Sequence, residues 1–140
     1  MASGVEGLGE GVKRRVLIVD DSPQVRQELR TLLPLAGEIE IVGEAADGLE
    51  AVHLAQALQP EVILMDLEMP VLDGYQAARQ IKAICPACRV VALTVYGDPA
   101  SRNRAAEAGV DAFLVKGVAV ESLVQAISAR PSDPKGFPNP

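Results

Sequence analysis

Asp20, Asp21, Asp66, Thr94 and Lys116 share a sequence context that points to chemistry. Each lies at the end of a short apolar run: Val16-Leu17-Ile18-Val19 before the aspartate pair, Val62-Ile63-Leu64-Met65 before Asp66, Val90-Val91-Ala92-Leu93 before Thr94, and Ala112-Phe113-Leu114-Val115 before Lys116. A charge at the end of a buried run needs a cation, a hydrogen-bond partner or a task. Carboxylates gathered at one place repel one another and raise at least one pKa, a conflict that a hard divalent cation removes. Mg²⁺ or Mn²⁺ suits carboxylates, waters and phosphate oxygens, whereas Zn²⁺ would call for Cys or His. The Thr94 hydroxyl and the Lys116 ammonium both suit phosphoryl oxygens. That leaves Asp66 as nucleophile, a carboxylate able to accept a phosphoryl group as an aspartyl phosphate. Such transfer is mostly positioning and charge neutralisation, which these side chains can supply.

The elements that must hold these groups follow from periodicity. The continuous apolar runs read as strands buried on both faces. Pro70 stops the strand that carries Asp66, placing that residue at a strand's carboxyl end, where ligands bind in open α/β sheets. Ser22-Pro23 predicts a helix start, with Val25, Leu29 and Leu32 as its buried stripe and Pro34 and Gly37 closing it. Glu38 to Gly43 alternates and suits a strand with one side partly wet. Asp47-Gly48 opens a second helix facing inward through Ala51, Leu54, Ala55 and Leu58. Asp73-Gly74 opens a third through Ala77, Ala78, Ile81 and Ile84. Asp98-Pro99 opens a fourth, closed by Gly109, and the fifth carries Val120, Leu123, Val124 and Ile127. Five strand–helix units in succession imply a parallel sheet covered on both faces, with every strand's carboxyl end at one edge.

Composition narrows the class. The chain has 140 residues, 49% hydrophobic but only 3% aromatic, so one domain with an aliphatic core is expected. A net charge of −6 argues against broad binding to nucleic acid or anionic membrane. The amino terminus lacks the apolar stretch of a secretory signal, and no run is long enough to span a bilayer, so a cytoplasmic protein is expected. Residues 1–12 read as a flexible tail, 13–130 as the domain, and the proline-rich 131–140 as a tail or linker stub.

Val-Asp-Asp-Ser after the first strand, Met-Asp-Leu-Glu-Met-Pro-Val-Leu-Asp-Gly around Asp66, Leu-Thr at Thr94 and Ala-Gly-Val-Asp-Ala-Phe-Leu-Val-Lys ending at Lys116 together resemble the receiver domain of two-component response regulators. The resemblance covers about residues 14 to 130. It implies a flavodoxin-like (βα)5 three-layer sandwich with strand order 2-1-3-4-5. It also implies that Asp66 takes phosphate from the phosphohistidine of a sensor histidine kinase, with Asp20, Asp21, Asp66 and the backbone carbonyl of Glu68 holding Mg²⁺. Thr94 and Lys116 would contact the phosphoryl group, Thr94 would move inward, and Phe113 would change rotamer with it. Many receivers carry proline after the strand-five lysine. Gly117 stands there instead, which resembles the subclass preceding helix-turn-helix outputs. The chain ends ten residues after Arg130, as a stand-alone receiver or one cut from a longer chain at a linker would.

Glu68 and Tyr96, each two residues beyond a site residue, should flank a phosphoryl group and tune its lifetime. Cys85-Pro86-Ala87-Cys88 has CxxC spacing, but follows a helix where a redox pair would begin one, and a zinc site would need two more ligands, so packing or loop thiols are expected. His53 lies opposite its helix's apolar stripe, so the phosphodonor must come from elsewhere. Arg102 and Arg104 read as a solvated helix face. The leading reading is a switch that alters a partner or homodimer surface on phosphorylation. An aspartate-nucleophile phosphatase and a pseudo-receiver that only binds partners are the alternatives. A flavin-binding protein would want more aromatic residues than this chain offers, with no Trp, two Tyr and two Phe.

Overall fold

A computed structural model describes residues 12–130. Residues 1–11 of the expected 1–12 tail, and the expected tail or linker stub 131–140, lie outside the described residues. The elements alternate throughout: β1 (Arg14–Val19), α1 (Pro23–Ala36), β2 (Ile39–Ala45), α2 (Gly48–Leu58), β3 (Val62–Met65), α3 (Gly74–Ile84), β4 (Arg89–Thr94), α4 (Pro99–Glu107), β5 (Ala112–Val115) and α5 (Val120–Ser128). The strands form one parallel sheet in the order β2-β1-β3-β4-β5. This is the flavodoxin-like (βα)5 sandwich.

Strand side chains alternate between two cores. Leu17, Val19, Ile63, Met65, Val90, Ala92 and Phe113 pack with α2, α3 and α4. Val16, Ile18, Val62, Leu64, Val91 and Leu93 pack with Leu29 and Leu33 of α1 and Leu123 and Ile127 of α5. Each fully buried Leu or Ile contributes roughly 1.5–3 kcal/mol over an exposed one, which makes the sheet a stiff support for its carboxyl edge.

Helix starts match the capping residues. Ser22, Asp47, Asp73 and Asp98 each accept a hydrogen bond from the N–H three residues on, supplying a partner that the first turn lacks. Gly74 is fixed by contact: a Cβ there would sit 2.5 Å from the carbonyl oxygen of Asp66 and 2.6 Å from Leu67 Cα. The start of α3 therefore presses directly against the segment carrying Asp66.

Several sequence expectations need correction. Leu32 is 43% exposed and Leu33, fully buried, takes the core position. Pro34 lies inside α1, which runs to Ala36, and the stripe follows i, i+4, i+8 through Val25, Leu29 and Leu33. Ile84, the last residue of α3, is 45% exposed because the helix outruns the core there. Strand β2 starts at Ile39 and continues to Ala45, kept in pairing by a register shift that lets Ile41 and Gly43 oppose consecutive β1 residues; Val42 is the extra residue.

At the sheet's amino edge, basic side chains fasten the helix ends. Arg14 donates to Ser128 O and Ala129 O at 3.1 and 2.9 Å. Arg15 donates to Gln59 O and Leu58 O at 2.7 and 2.8 Å, and Arg89 Nε to Ala126 O at 2.8 Å. These carbonyls have no partner inside their helices, and cations there also oppose the negative dipole end.

Val71, just after Pro70, has φ +70° and is 77% exposed. A β-branched residue in that region is sterically strained, and its exposure means little packing would be lost by removing the side chain. Val71→Gly should therefore raise unfolding stability by about 1 kcal/mol after allowing for the entropy that glycine adds to the unfolded chain. Urea melts read it, and an unchanged or lower midpoint would refute the strain.

Candidate functional site

Backbone pairing continues past the strand ends and aligns the polar residues. Asp66 N–H donates to Val19 O at 2.9 Å, Asp20 N–H to Ala45 O at 3.1 Å and Lys116 N–H to Thr94 O at 2.7 Å. The four strand ends thus deliver acid, hydroxyl and ammonium groups to one rim. Lys116 Nζ lies 2.9 Å from Asp20 Oδ2 and 3.1 Å from Asp66 Oδ2. The other oxygens take backbone donors: Ser22 N–H reaches Asp20 Oδ1 at 2.9 Å, and Glu68 N–H reaches Asp66 Oδ1 at 3.1 Å. Each buried carboxylate therefore has one oxygen held by backbone and one by the shared ammonium.

Asp21 is exposed, yet one oxygen each of Asp20, Asp21 and Asp66 lie within 4.8 Å of one another. One ammonium thus faces three carboxylates, and the cluster is short of positive charge. The donors are all hard oxygens, with no Cys or His among them, so the set fits a divalent cation of the Mg²⁺ type better than zinc.

Titration reflects this imbalance. Burial pushes the Asp66 carboxyl above its usual range; Glu68 N–H and Lys116 pull against that, and the Asp20 charge adds to the rise. Burial alone would lower Lys116, but hydrogen bonds and charge from Asp20 and Asp66 outweigh it and leave the ammonium above its ordinary value.

Thr94 is buried, and its Oγ1 accepts Tyr96 N–H at 3.4 Å. The Tyr96 side chain is 55% exposed beside equally open Val95. Glu68 is also exposed. Phe113 is fully buried on the α4 side of the sheet. Gly117 has φ +103° with open space where a side chain would go, so glycine makes the turn from β5 into the loop before α5 without strain.

Two expectations about side chains change. Arg102 and Arg104 do not form a merely solvated face. The Arg102 guanidinium lies over the Phe113 ring at 4.8 Å while its Nε donates to Gly97 O at 3.0 Å. Arg104 lies over Tyr75 at 3.9 Å. Ring faces attract guanidinium groups, and helical periodicity alone cannot show which ring lies opposite. His53 is exposed and Cys85 and Cys88 are free thiols, as expected.

Sequence reasoning overlooked Arg26. Its Nη1 donates to Asp20 O at 2.6 Å and its Nε to Glu44 Oε1 at 3.2 Å, with Arg30 on the other Glu44 oxygen. The group braces the Asp20–Asp21 turn against β2. A cation in the first turn of α1 opposes the helix dipole, and that mismatch was the available sign that Arg26 had an anionic or carbonyl partner.

Comparison with known proteins agrees with this geometry. The response regulator receiver domain family matches residues 16–128. The response regulator protein VraR of Staphylococcus aureus is 39% identical over 113 residues, covering 81% of this chain and 54% of VraR. The chain thus spans about half the length of the curated relatives it matches. The signal receiver domain of the putative response regulator NarL from Mycobacterium tuberculosis superposes with a TM-score of 0.78 at 35% identity, covering 82% of this chain and 93% of that one. The isolated receiver domain of RcsB from Salmonella enterica serovar Typhimurium, solved with phosphomimetic BeF3⁻, gives 0.79 at 26% identity, covering 91% and 95%. Among the described residues, no helix is long and apolar enough to cross a membrane.

Proposed function

The chain belongs to the response regulator receiver family, and on that premise we propose that Asp66 accepts a phosphoryl group from the phosphohistidine of a sensor histidine kinase. The observation that carries the reading is the Lys116 ammonium held between Asp20 and Asp66 at 2.9 and 3.1 Å, with the Asp21 carboxylate alongside. An Asp66 oxygen attacks phosphorus, the P–N bond to the donor histidine breaks, and the imidazole leaves with the bonding pair. Lys116 can turn its charge to a phosphoryl oxygen, and the Thr94 hydroxyl can donate to another. Asp20, Asp21, Asp66 and the Glu68 carbonyl would hold Mg²⁺, which when bound offsets phosphoryl and carboxylate charge.

Receiver domains are signalling modules, and the output here is a switch. Drawing Thr94 inward shifts the β4–α4 loop, whose Gly97 carbonyl is tied to Arg102 over Phe113, so the loop, α4 and the Phe113 ring respond together. The open Val95–Tyr96 pair beside it is a surface that a partner or second copy would read. Gly117 favours the receivers that precede helix-turn-helix outputs.

Incubation with Mg²⁺ and labelled acetyl phosphate tests the proposal. One label per chain is expected. Continuing phosphate release from esters would favour the phosphatase, and no label on a folded chain the pseudo-receiver. Sizing of labelled and unlabelled samples separates a dimerising switch from a monomeric relay.

Tyr96 is large enough to hinder the water that would hydrolyse the aspartyl phosphate. Tyr96→Ala should speed decay of the label, within about tenfold, which corresponds to under about 1.4 kcal/mol of barrier. An unchanged or slower decay removes the shielding role.

A further inference from the structure

A second chemically equipped place lies at the opposite edge of the sheet. A cleft of about 520 Å³ opens there, lined by Cys85 and Cys88 together with Arg14, Lys82, Arg89 and Glu61. Cys85 follows the last residue of α3 and Cys88 precedes β4. Between them the chain makes a tight turn, closed by Cys88 N–H donating to Cys85 O at 3.0 Å. A turn of that kind brings its first and fourth Cα atoms within about 7 Å, the range a disulfide spans. Lys82 Nζ pins the turn from one side, donating to Pro86 O at 3.2 Å and Cys88 O at 2.8 Å.

We propose that Cys85 and Cys88 form a modification site, closing into an intrachain disulfide by exchange with a small anionic disulfide of the glutathione class. Arg14, Lys82 and Arg89 outnumber Glu61 and Asp111 on the cleft wall, with Lys82 paired to Asp111 at 3.0 Å, so the wall keeps a net positive charge towards such a reagent. Cys85 is half-buried and Cys88 is 1% exposed, so Cys85 reacts first. Its thiolate attacks one sulfur of the reagent RSSR, forming a mixed disulfide and releasing RS⁻. The Cys88 thiolate then attacks the Cys85 sulfur and expels the second RS⁻. Two protein thiols are oxidised to one S–S bond, one RSSR is reduced to two RSH, and the two thiol protons end on those products.

The reversed placement relative to a redox-enzyme pair sets the character of the bond. Burial, then the neighbouring Cys85, pushes the Cys88 thiol up to about 12, and no helix amino terminus stabilises either thiolate. Disulfides become strong oxidants when their reduced form is stabilised; this one lacks that aid and acts as a slow-forming staple. It joins the end of α3 to the start of β4, the strand whose far end carries Thr94.

The full chain is incubated with oxidised glutathione and followed by intact mass, thiol titration and non-reducing electrophoresis. The expected course is a transient one-to-one adduct, then a monomer two hydrogens lighter with no free thiol. Cys88→Ala should stop at the adduct, and Cys85→Ala should form adduct at least tenfold more slowly than the unaltered chain. The proposal is overturned if the unaltered chain stops at the adduct, links to a second chain, or keeps both thiols free. That arm needs no substitution, and its outcome is independent of phosphoryl transfer at Asp66.

Discussion

Asp66→Asn is expected to abolish labelling by acetyl phosphate completely while raising the stability of the metal-free protein at neutral pH. The amide oxygen is no nucleophile towards phosphorus, so the loss follows directly if Asp66 is the acceptor. The gain in stability follows from the surroundings. Asp66 is 7% exposed, faces Asp20 across a single ammonium, and has its carboxyl pKa raised chiefly by burial. A folded pKa above the unfolded one means that the native state binds the proton more tightly. The contribution of this group is therefore greatest below the ordinary value of 3.8 and is lost as pH climbs through the raised folded value. At neutral pH the charge opposes folding, and removing it should add on the order of 1 kcal/mol. The difference between the two proteins should shrink as pH falls towards 4. Residual stoichiometric label in the variant would move the acceptor elsewhere, and a variant less stable at pH 7 would contradict the account of the charge.

Lys116→Met should cost about 2–4 kcal/mol without divalent metal, because it strands two buried carboxylates that the ammonium now bridges. Methionine keeps an unbranched stem, so most of the loss reports the charge. Mg²⁺ supplies positive charge to the same cluster and stabilises any folded state that it binds. The midpoint shift on adding Mg²⁺ should then be larger in the variant than in the unaltered protein. Denaturant melts with EDTA and with saturating Mg²⁺ decide it. Equal losses under both conditions would show that the lysine acts through packing.

Much of this molecule was readable in the chain because its signals are local. The apolar strand runs, the Ser22, Asp47, Asp73 and Asp98 caps, and polar residues at the ends of otherwise apolar runs need only neighbours in sequence. What escaped depends on contacts between distant segments. Neighbouring helix positions differ by only 100°, so the choice of Leu33 over Leu32 rests on how α1 settles against the sheet and α5. That Arg102 meets Phe113 and Arg104 meets Tyr75 depends on how α4 sits against β5 and α3. The φ of Val71 is imposed by the turn between Pro70 and the close approach of Gly74 to Asp66. The family resemblance carried the strand order, which spacing alone could not.

The arginines that hook helix carbonyls lie at the end of the sheet remote from the acids. Nothing they touch belongs to the Asp66 cluster, so the two ends are open to independent change. On the proposed reading of Glu68 and Tyr96, exchanges there would retune how long a signal lasts without loosening Arg14, Arg15 or Arg89. Damage to those three should lower the melting point of a protein that, while folded, still reads its input normally. A lineage can therefore alter the timing of the message and the durability of the messenger in separate steps.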